Sequence, residues 1–514
     1  MAQKNNKKEV KHLFGTSEKS DFILNMDKEG AQKMCGVYSI ISILLLALMT
    51  IPGYFLQNVV DYVDSDNNTV QYLSESFIFY TSIIIILMGI VGYIIFAVAH
   101  NKKLVSFKDN KALLLVVGIV ALSAVSTALA DEPYTALMGY LNRNEGLLTI
   151  LCYWGVFAVA MCITADNRRL KLADFIVGIG AFESIVGILQ AIPATAKFVP
   201  NYFENLFAAF GSTPGDGQIY TKEGGITAIF DVAHSSSGFM STPFALSAAL
   251  SVMVAVAFGG FVFEESKKRK LFYGISALAM VSASILSQVV AGLVGAGCAV
   301  IFILCTAVIK AFCKNSEGKA VAVRAAAFTV CVGIIAGVLF GTGAAKLYDE
   351  QTIYTDGYVR LSISYATRNG AYEGTQGAEN SDQWIYPYLW DDGMYVTEQN
   401  LLFGTGQDNW GTMIEAGSTT DRCYNEYIDC AQQRGIFCVA LYTIFVLVSL
   451  VKMIKLVIEF AKGKVSWLAP AFSAGAFAYL CQAFFNISSP TGSPYLYLAL
   501  GIVWSYTAVK QKEK

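Results

Sequence analysis

Arginine is the residue type in this chain that points most directly to chemistry, because a planar guanidinium can donate two parallel hydrogen bonds to a phosphate or carboxylate. Eight basic residues are set apart from all the others by long apolar stretches: Arg143, Lys197, Lys222, Lys346, Arg360, Arg368, Arg422 and Arg434. Each could hold an anionic ligand. Each could equally pair with a neighbouring acid, as Arg422 would with Asp421 or Glu426.

Two further side chains have the chemistry of acid–base catalysis. Glu183 lies deep in the apolar stretch AFESIVG, and ionisable residues in such stretches are commonly functional. His234, in FDVAHSSSG, could relay a proton between Asp231 and Ser235, or could be a loop histidine bonded to the backbone. We therefore take both as catalytic candidates.

The elements that must position these groups are membrane helices. The chain is 514 residues long, 55% hydrophobic and only 15% charged, whereas soluble domains carry about 25% charge. A bilayer core of about 30 Å needs about 20 apolar residues per helix. The sequence predicts an all-α integral membrane protein with about twelve transmembrane helices. Its spans are 34–56, 76–99, 111–130, 146–165, 172–192, 239–263, 271–288, 291–312, 325–345, 435–458, 466–486 and 491–509.

The distribution of positive charge predicts the orientation of these spans. Of 37 Lys and Arg, 29 fall at the two ends or in alternate loops, and only the eight above fall on the other side. By the positive-inside rule, both termini are cytoplasmic, with tails at 1–33 and 510–514, and the chain is a multi-pass membrane protein. No basic surface for nucleic acid is indicated, since the inner basic residues are explained by topology.

One apolar run, 271–312, is too long for a single span, and we predict a break at 287–292. Two spans there keep the later basic loops on the cytoplasmic side.

The largest predicted loop, 346–434, lies outside the cell between spans nine and ten, which separates transmembrane segments 34–345 and 435–509. It is rich in Tyr, Trp, Gly and Asp, and loops of this length usually serve a function. Its aromatic residues could stack on sugar rings or form a small core of their own. Cys423 and Cys430 could form a disulfide or remain thiols. No Cys and His grouping has metal-ligand spacing, so no metal or cofactor is predicted.

Several ordered segments resemble the O-antigen ligase and O-antigen polymerase superfamily. The most extensive is LLFGTGQDNWGTMIEAGSTTDRCYNEYIDCAQQRGIFCVALYTIF at 401–445. The others are NRNEGLL at 142–148, GILQ at 187–190 and GYVR at 357–360. Their order and the placement of the large loop are similar to the family across most of the chain.

The resemblance implies an enzyme that moves or polymerises a glycan from a polyprenyl diphosphate carrier onto a lipid or glycan acceptor, at the outer face of a bacterial plasma membrane. It implies no cofactor. It assigns Arg143, Arg360 and Arg422 to the diphosphate, with Asn425 beside them in the substrate site. It does not separate a ligase from a polymerase.

The chain departs from the family pattern at two positions. Tyr424 stands where the family has a histidine, and Val290 stands where it has an arginine. Because tyrosine titrates near pH 10, Tyr424 would position a hydroxyl rather than accept its proton. Glu426 could accept the proton instead. Two alternatives remain. Twelve spans would also suit a transporter or flippase for a glycan-lipid, and the two departures keep open a relative that binds glycan-lipid without catalysis.

Overall fold

The structure, a computed structural model, describes most of the helical part of the chain. The described residues are 26–47, 59–63, 69–73, 75–105, 112–139, 145–192, 219–220, 226–228, 236–240, 243–313, 315–345, 353–355, 358–360, 386–409 and 423–506.

Helices dominate the described residues. They are α1 (Lys28–Ala47), α2 (Glu75–Asn101), α3 (Ala112–Leu129), α4 (Pro133–Met138), α5 (Leu147–Met161), α6 (Asp166–Ala191), α7 (Pro243–Phe263), α8 (Lys267–Leu286), α9 (Val290–Cys313), α10 (Asn315–Gly341), α11 (Tyr386–Gln399), α12 (Glu426–Ala461), α13 (Leu468–Gln482) and α14 (Pro494–Ser505). A 3₁₀ turn, Ala483–Phe485, follows α13.

Three short antiparallel strand pairs lie between the helices. They are β1 (Val59–Val63) with β2 (Thr69–Leu73), β3 (Ile219–Tyr220) with β4 (Ile226–Ala228), and β5 (Ile353–Thr355) with β6 (Tyr358–Arg360). In the first pair Val59 lies opposite Leu73, and in the last Ile353 lies opposite Arg360.

Ten of the described helices are long and apolar enough to cross a membrane, which confirms the prediction of a helical multi-pass membrane protein. They include α1, α3, α6 to α9 and α12, together with the apolar parts of α2, α10 and α13. The apolar helices α5 and α14 are shorter. Each of the twelve predicted spans overlaps one of these helices, and a count of twelve crossings stays a prediction.

Helix α7 lies at the centre of the bundle. All its described side chains except Phe261 are buried, and it packs against α8, α9 and α13. Helix α10 is the opposite case, since only 11% of its apolar part is buried. A helix that is apolar on every side and buried on few of them suits a lipid-facing position at the edge of the bundle.

The predicted break in the run 271–312 is confirmed. Helix α8 ends at Leu286 and α9 begins at Val290. Gln288, between them, has a left-handed backbone with φ of 56°. The Ser287 hydroxyl donates to the Ser284 carbonyl at 2.7 Å, which satisfies a backbone oxygen left over at the end of α8.

Helix α12 is two helices joined at a kink. Gly435 has non-helical angles, φ 74° and ψ 171°, so residues 426–434 form a short N-terminal helix and a longer apolar helix follows the kink. The kink coincides with the predicted start of a span at residue 435. Within the predicted outer loop 346–434, the described residues also include α11.

Candidate functional site

The site begins with a backbone pairing between residues 401–406 and the kink of α12. Thr405 donates its N–H to the Gln432 carbonyl at 2.9 Å, and Ile436 donates to the Leu401 carbonyl at 2.9 Å. A Cβ on Gly435 would lie 2.2 Å from the Leu402 carbonyl oxygen, so this approach requires glycine. The pairing holds the LFGTG segment against the N-terminal part of α12.

A series of hydrogen-bonded polar side chains lies next to this backbone pairing. The Arg434 Nε donates to Gln407 Oε1 at 2.6 Å, and Gln407 Nε2 donates to Gln433 Oε1 at 2.7 Å. The same Gln433 oxygen accepts the Asp408 backbone N–H at 3.1 Å. The Gln407 amide therefore holds the Arg434 guanidinium in place, and the Gln433 amide in turn holds Gln407.

Asp408 connects this chain to the start of α5. Its carboxylate accepts the Glu145 backbone N–H at 3.3 Å. The Glu145 side chain is buried, and each of its carboxylate oxygens accepts one hydroxyl: Tyr153 at 2.8 Å and Ser488 at 2.5 Å. Segments more than 250 residues apart in sequence meet here through charge-assisted hydrogen bonds, which are stronger than neutral ones.

These groups border a small cleft that is partly open to solvent. Its lining residues are Ile150, Tyr153, Glu426, Asp429, Cys430, Gln433, Arg434, Tyr442, Ser488, Ser493 and Tyr497. The Glu426 Oε1 lies 2.9 Å from the Tyr479 hydroxyl, which is also 2.9 Å from the Ser493 hydroxyl. Two carboxylates and one guanidinium thus line the cleft, together with hydroxyl, amide and aromatic groups, the Cys430 thiol and Ile150.

The predicted residue Asn425 begins α12. Its side-chain oxygen accepts the backbone N–H groups of Tyr427 at 3.0 Å and Ile428 at 3.3 Å, as in a helix N-cap. This cap fixes the start of the helix, and therefore the position of Glu426 in the first turn of α12. This local contact accounts for Asn425 being buried.

Tyr424 lies in an apolar cluster. Its side chain is fully buried, its φ is 52°, and its ring centroid lies 5.1 Å from that of Phe244. Val290 belongs to the same cluster, together with Tyr386 and Ile487. The two positions at which the chain departs from the O-antigen ligase pattern are therefore packed in one apolar cluster.

Cys423 and Cys430 are both free thiols and both buried. Cys423 Sγ donates to Asp429 Oδ1 at 3.0 Å, and the Cys423 backbone N–H reaches the same oxygen at 3.3 Å. Burial raises the pKa of the Cys423 thiol, with the neighbouring Asp429 charge adding to the shift. The thiol therefore stays protonated and serves as a donor.

Glu183 lies within α6 and is fully buried. Its Oε2 accepts the Phe239 backbone N–H at 2.7 Å, which ties α6 to the segment that precedes α7. It is not among the residues that line the cleft.

The remaining predicted residues are described little or not at all. Arg143, Arg422 and His234 lie outside the described residues, as does Asp421. Arg360 ends strand β6, and its backbone pairs with Ile353. The structure thus brings Glu426 to the cleft, uses Asn425 as the cap directly before it, and places Tyr424 and Glu183 elsewhere.

Sequence reasoning missed Arg434 and Glu145 as site residues. Arg434 stood among the eight outer basic residues, and its position directly before Gly435, where a span begins, was a usable signal. Glu145 lies inside the NRNEGLL segment, in which Arg143 was the residue assigned to the substrate site. Among the described residues no group of three or more His, Cys, Asp and Glu could hold a metal ion.

The arrangement suits transfer between oxygen atoms. A carboxylate that lines a cleft can accept a proton from a hydroxyl, and a guanidinium in the same lining can hold an anionic leaving group. Neither a protein-family model nor any curated protein matches this chain at a significant level.

Proposed function

We propose that this protein is a membrane glycosyltransferase. It takes a glycan from a polyprenyl diphosphate carrier and transfers it to a lipid or glycan acceptor at the outer face of the plasma membrane, in the manner of an O-antigen ligase or polymerase. The observation that carries the proposal is the convergence at one cleft of segments 145–153, 405–409 and 426–434. Most of the family resemblance lies in the same segments.

The charge distribution supports an outer location for the cleft. The connections α6 to α7 and α8 to α9, and the pairing of 401–406 with α12, lie at one end of the bundle in the predicted topology. Basic side chains such as Arg168, Lys267 and Lys462 lie at the other ends of their helices. Under the positive-inside rule the cleft then opens where an exported polyprenyl-linked glycan is presented.

The proposed reaction needs two protein groups. Glu426 accepts the proton of an acceptor hydroxyl as the new bond forms between that oxygen and the anomeric carbon of the donor. The bond from the anomeric carbon to the phosphate oxygen breaks, and the electron pair leaves with the diphosphate. Arg434 offsets the negative charge that develops there. Donors fixed in advance are effective because they need no reorganisation during the reaction.

The residues assigned by resemblance complete this proposal. Arg143, Arg360 and Arg422 bind the diphosphate, and Tyr424, Asn425 and His234 support the acceptor side. Tyr424 positions the adjacent start of α12 from within its apolar cluster. No metal or cofactor is assigned a step.

A second candidate is a glycan-lipid-binding protein without transfer activity. The observation that favours it is the joint packing of Tyr424 and Val290 in one apolar cluster, at the two positions where the family has polar residues. A glycan-lipid transporter or flippase is the third candidate, which twelve spans would also suit.

The deciding experiment uses purified protein in defined membranes with a polyprenyl-diphosphate glycan and a panel of acceptors. Product masses are measured for the native protein, Arg434→Ala and Arg434→Lys. We expect a glycan-acceptor product, a loss of about 10²–10³-fold in rate for Arg434→Ala, and partial recovery in Arg434→Lys. Binding of donor without product would favour the second candidate, and donor crossing the bilayer without product would favour the third.

A further inference from the structure

The loop between the 3₁₀ turn and α14 carries serine hydroxyls to the cleft, and both Ser488 and Ser493 line it. The loop lies close against the central helix α7, since a Cβ on Gly492 would be only 2.8 Å from the Ala245 carbonyl oxygen. Ser489 fixes the turn of the loop. Its Oγ accepts the Gly492 N–H at 3.1 Å, and its carbonyl accepts the Ser493 N–H at 2.9 Å. The serine side chains are therefore presented from a fixed backbone.

Ser493, Tyr479 and Glu426 form a series of hydrogen bonds whose direction is set by the backbone. Ser493 Oγ accepts the Ser489 N–H at 2.9 Å and lies 2.9 Å from the Tyr479 hydroxyl. The Tyr479 hydroxyl lies 2.9 Å from Glu426 Oε1. An ionised carboxylate can only accept, and each hydroxyl has one proton to donate. Tyr479 therefore donates to Glu426, and Ser493 donates to Tyr479.

The two hydroxyl-bearing side chains are held inside the bundle. Tyr479 is fully buried on α13, and Ser493 is only 2% exposed. Helix α13 packs closely on α7 one turn before Tyr479, because a Cβ on Gly475 would lie 3.0 Å from Val252 Cγ1. A hydrogen bond to a charged group in such surroundings is stronger than the same bond in water. Helix α13 and the loop thus hold a carboxylate that also lines the cleft, that of Glu426.

A general base is effective only when its oxygen lies within about 2.6–3.2 Å of the group whose proton it accepts. Misplacement of a reacting group by about 1 Å can lower the rate about 100-fold. The Asn425 cap fixes the backbone at the start of α12, but it does not fix the rotamer of the Glu426 side chain. The bond from Tyr479 supplies that second constraint, because it holds one carboxylate oxygen in place.

We propose that Tyr479 and Ser493 are positioning residues, which hold the Glu426 carboxylate in the orientation that accepts the proton of an acceptor hydroxyl. This role rests on the proposed transferase function. Ser493 acts through Tyr479, and Tyr479 acts through Glu426. The effect of both residues on the rate therefore passes through one carboxylate.

The test compares Tyr479→Phe with Tyr427→Phe in the transfer assay with purified protein. Tyr427 is the matched control, because its hydroxyl also joins α12 to α13, but it does so by donating to the Leu480 carbonyl at 2.7 Å rather than to the Glu426 carboxylate. For Tyr479→Phe we expect kcat to fall by about 10–100-fold, with little change in KM for the acceptor. Tyr427→Phe should keep the native kcat.

A second comparison separates positioning of the carboxylate from general support of the fold. In a Glu426→Gln background, Tyr479→Phe should cause no further loss of kcat, since the effects of residues that act through one group do not add. A purely structural role would slow both backgrounds equally. Ser493→Ala removes a single oxygen and should lower kcat by about 3–10-fold, the usual contribution of one hydrogen bond, in the native background alone. It decides the question if Tyr479→Phe does not fold.

Two results would overturn the positioning role and leave the proposed function standing, because the native protein would still make product. One is the same kcat in Tyr479→Phe and Tyr427→Phe. The other is equal slowing by Tyr479→Phe, or by Ser493→Ala, with and without the Glu426 carboxylate. A native protein that makes no product would instead overturn the proposed function, and the positioning role with it.

Discussion

Two neighbouring regions at the same end of the bundle have opposite character. Around Glu426 and Arg434 the side chains are polar and linked by hydrogen bonds, and they line a cleft. Around Tyr424 and Val290 they are apolar and closely packed. Only one residue, Asn425, separates Tyr424 from Glu426 in sequence. The comparison indicates that polar chemistry at this end of the bundle is concentrated on one side of the first turn of α12.

The largest effect is expected when the Glu426 carboxylate is removed from the polar region. Glu426→Gln keeps the size of the side chain and the contact with Tyr479, but it cannot accept a proton. We expect transfer to slow by about 10²–10⁴-fold, the usual contribution of a general base. Single-turnover rates with saturating donor would measure it.

The matched control is Glu132→Gln. Glu132 is an exposed acid directly before α4 that accepts a bond from the Thr135 hydroxyl. It should leave the rate unchanged. Equal slowing in both variants would remove Glu426 from the chemistry.

A second change tests whether the backbone pairing supports the polar side. Gly435→Ala places a methyl group against the Leu402 carbonyl in a backbone region that only glycine adopts easily. We expect a loss of about 2–3 kcal/mol in stability, together with loss of the cleft. Thermal unfolding in detergent would measure it.

Gly333→Ala provides the comparison, since a Cβ at Gly333 meets open space within a helix. Replacing a helical glycine by alanine should be neutral or stabilising by up to about 1 kcal/mol. Similar destabilisation by both changes would argue that the close approach at the kink is unimportant.

A third change restores the family residue on the apolar side. Tyr424→His places an imidazole in a cluster that offers the tyrosine ring an aromatic neighbour, Phe244. Burial of a polar ring in that cluster should cost about 1–3 kcal/mol, without raising the transfer rate. A rate increase at unchanged stability would show that position 424 still belongs to the chemistry.

The smallest expected effect concerns Cys423, which lies between the two regions. Because burial raises the pKa of its thiol, the reactive thiolate is scarce in the folded protein, and its fraction grows only as pH rises toward that raised pKa. Alkylation at pH 7 should modify the exposed Cys313 and spare Cys423. Peptide masses over a series of pH values would check it, and rapid modification of Cys423 at pH 7 would contradict its burial.

The helical membrane architecture was predictable because it depends on summed properties. The number of apolar residues per span and the sorting of Lys and Arg act over whole segments, so no single residue decides them. Even the short break between Leu286 and Val290 followed from the parity of later basic loops. The start of a span at Gly435 was found in the same way.

The site was harder to predict because it depends on which side of a helix each residue occupies. Glu426 and Tyr424 are two positions apart in sequence, yet Glu426 lines the cleft and Tyr424 packs against Phe244. Arg434 was recognised as a site residue only from its hydrogen bond to Gln407, which lies 27 positions away in sequence. Side-chain hydrogen bonds between distant segments leave no periodic signal in a single sequence.

The kink at Gly435 divides α12 into a short N-terminal arm and a long C-terminal arm. The N-terminal arm is bound to residues 401–406, while the C-terminal arm, 26 residues or about 39 Å long, runs to Ala461. Along the C-terminal arm, Lys452 donates to the Trp504 carbonyl at 3.1 Å. The two arms are therefore anchored to different parts of the chain, and a single glycine is the joint between them.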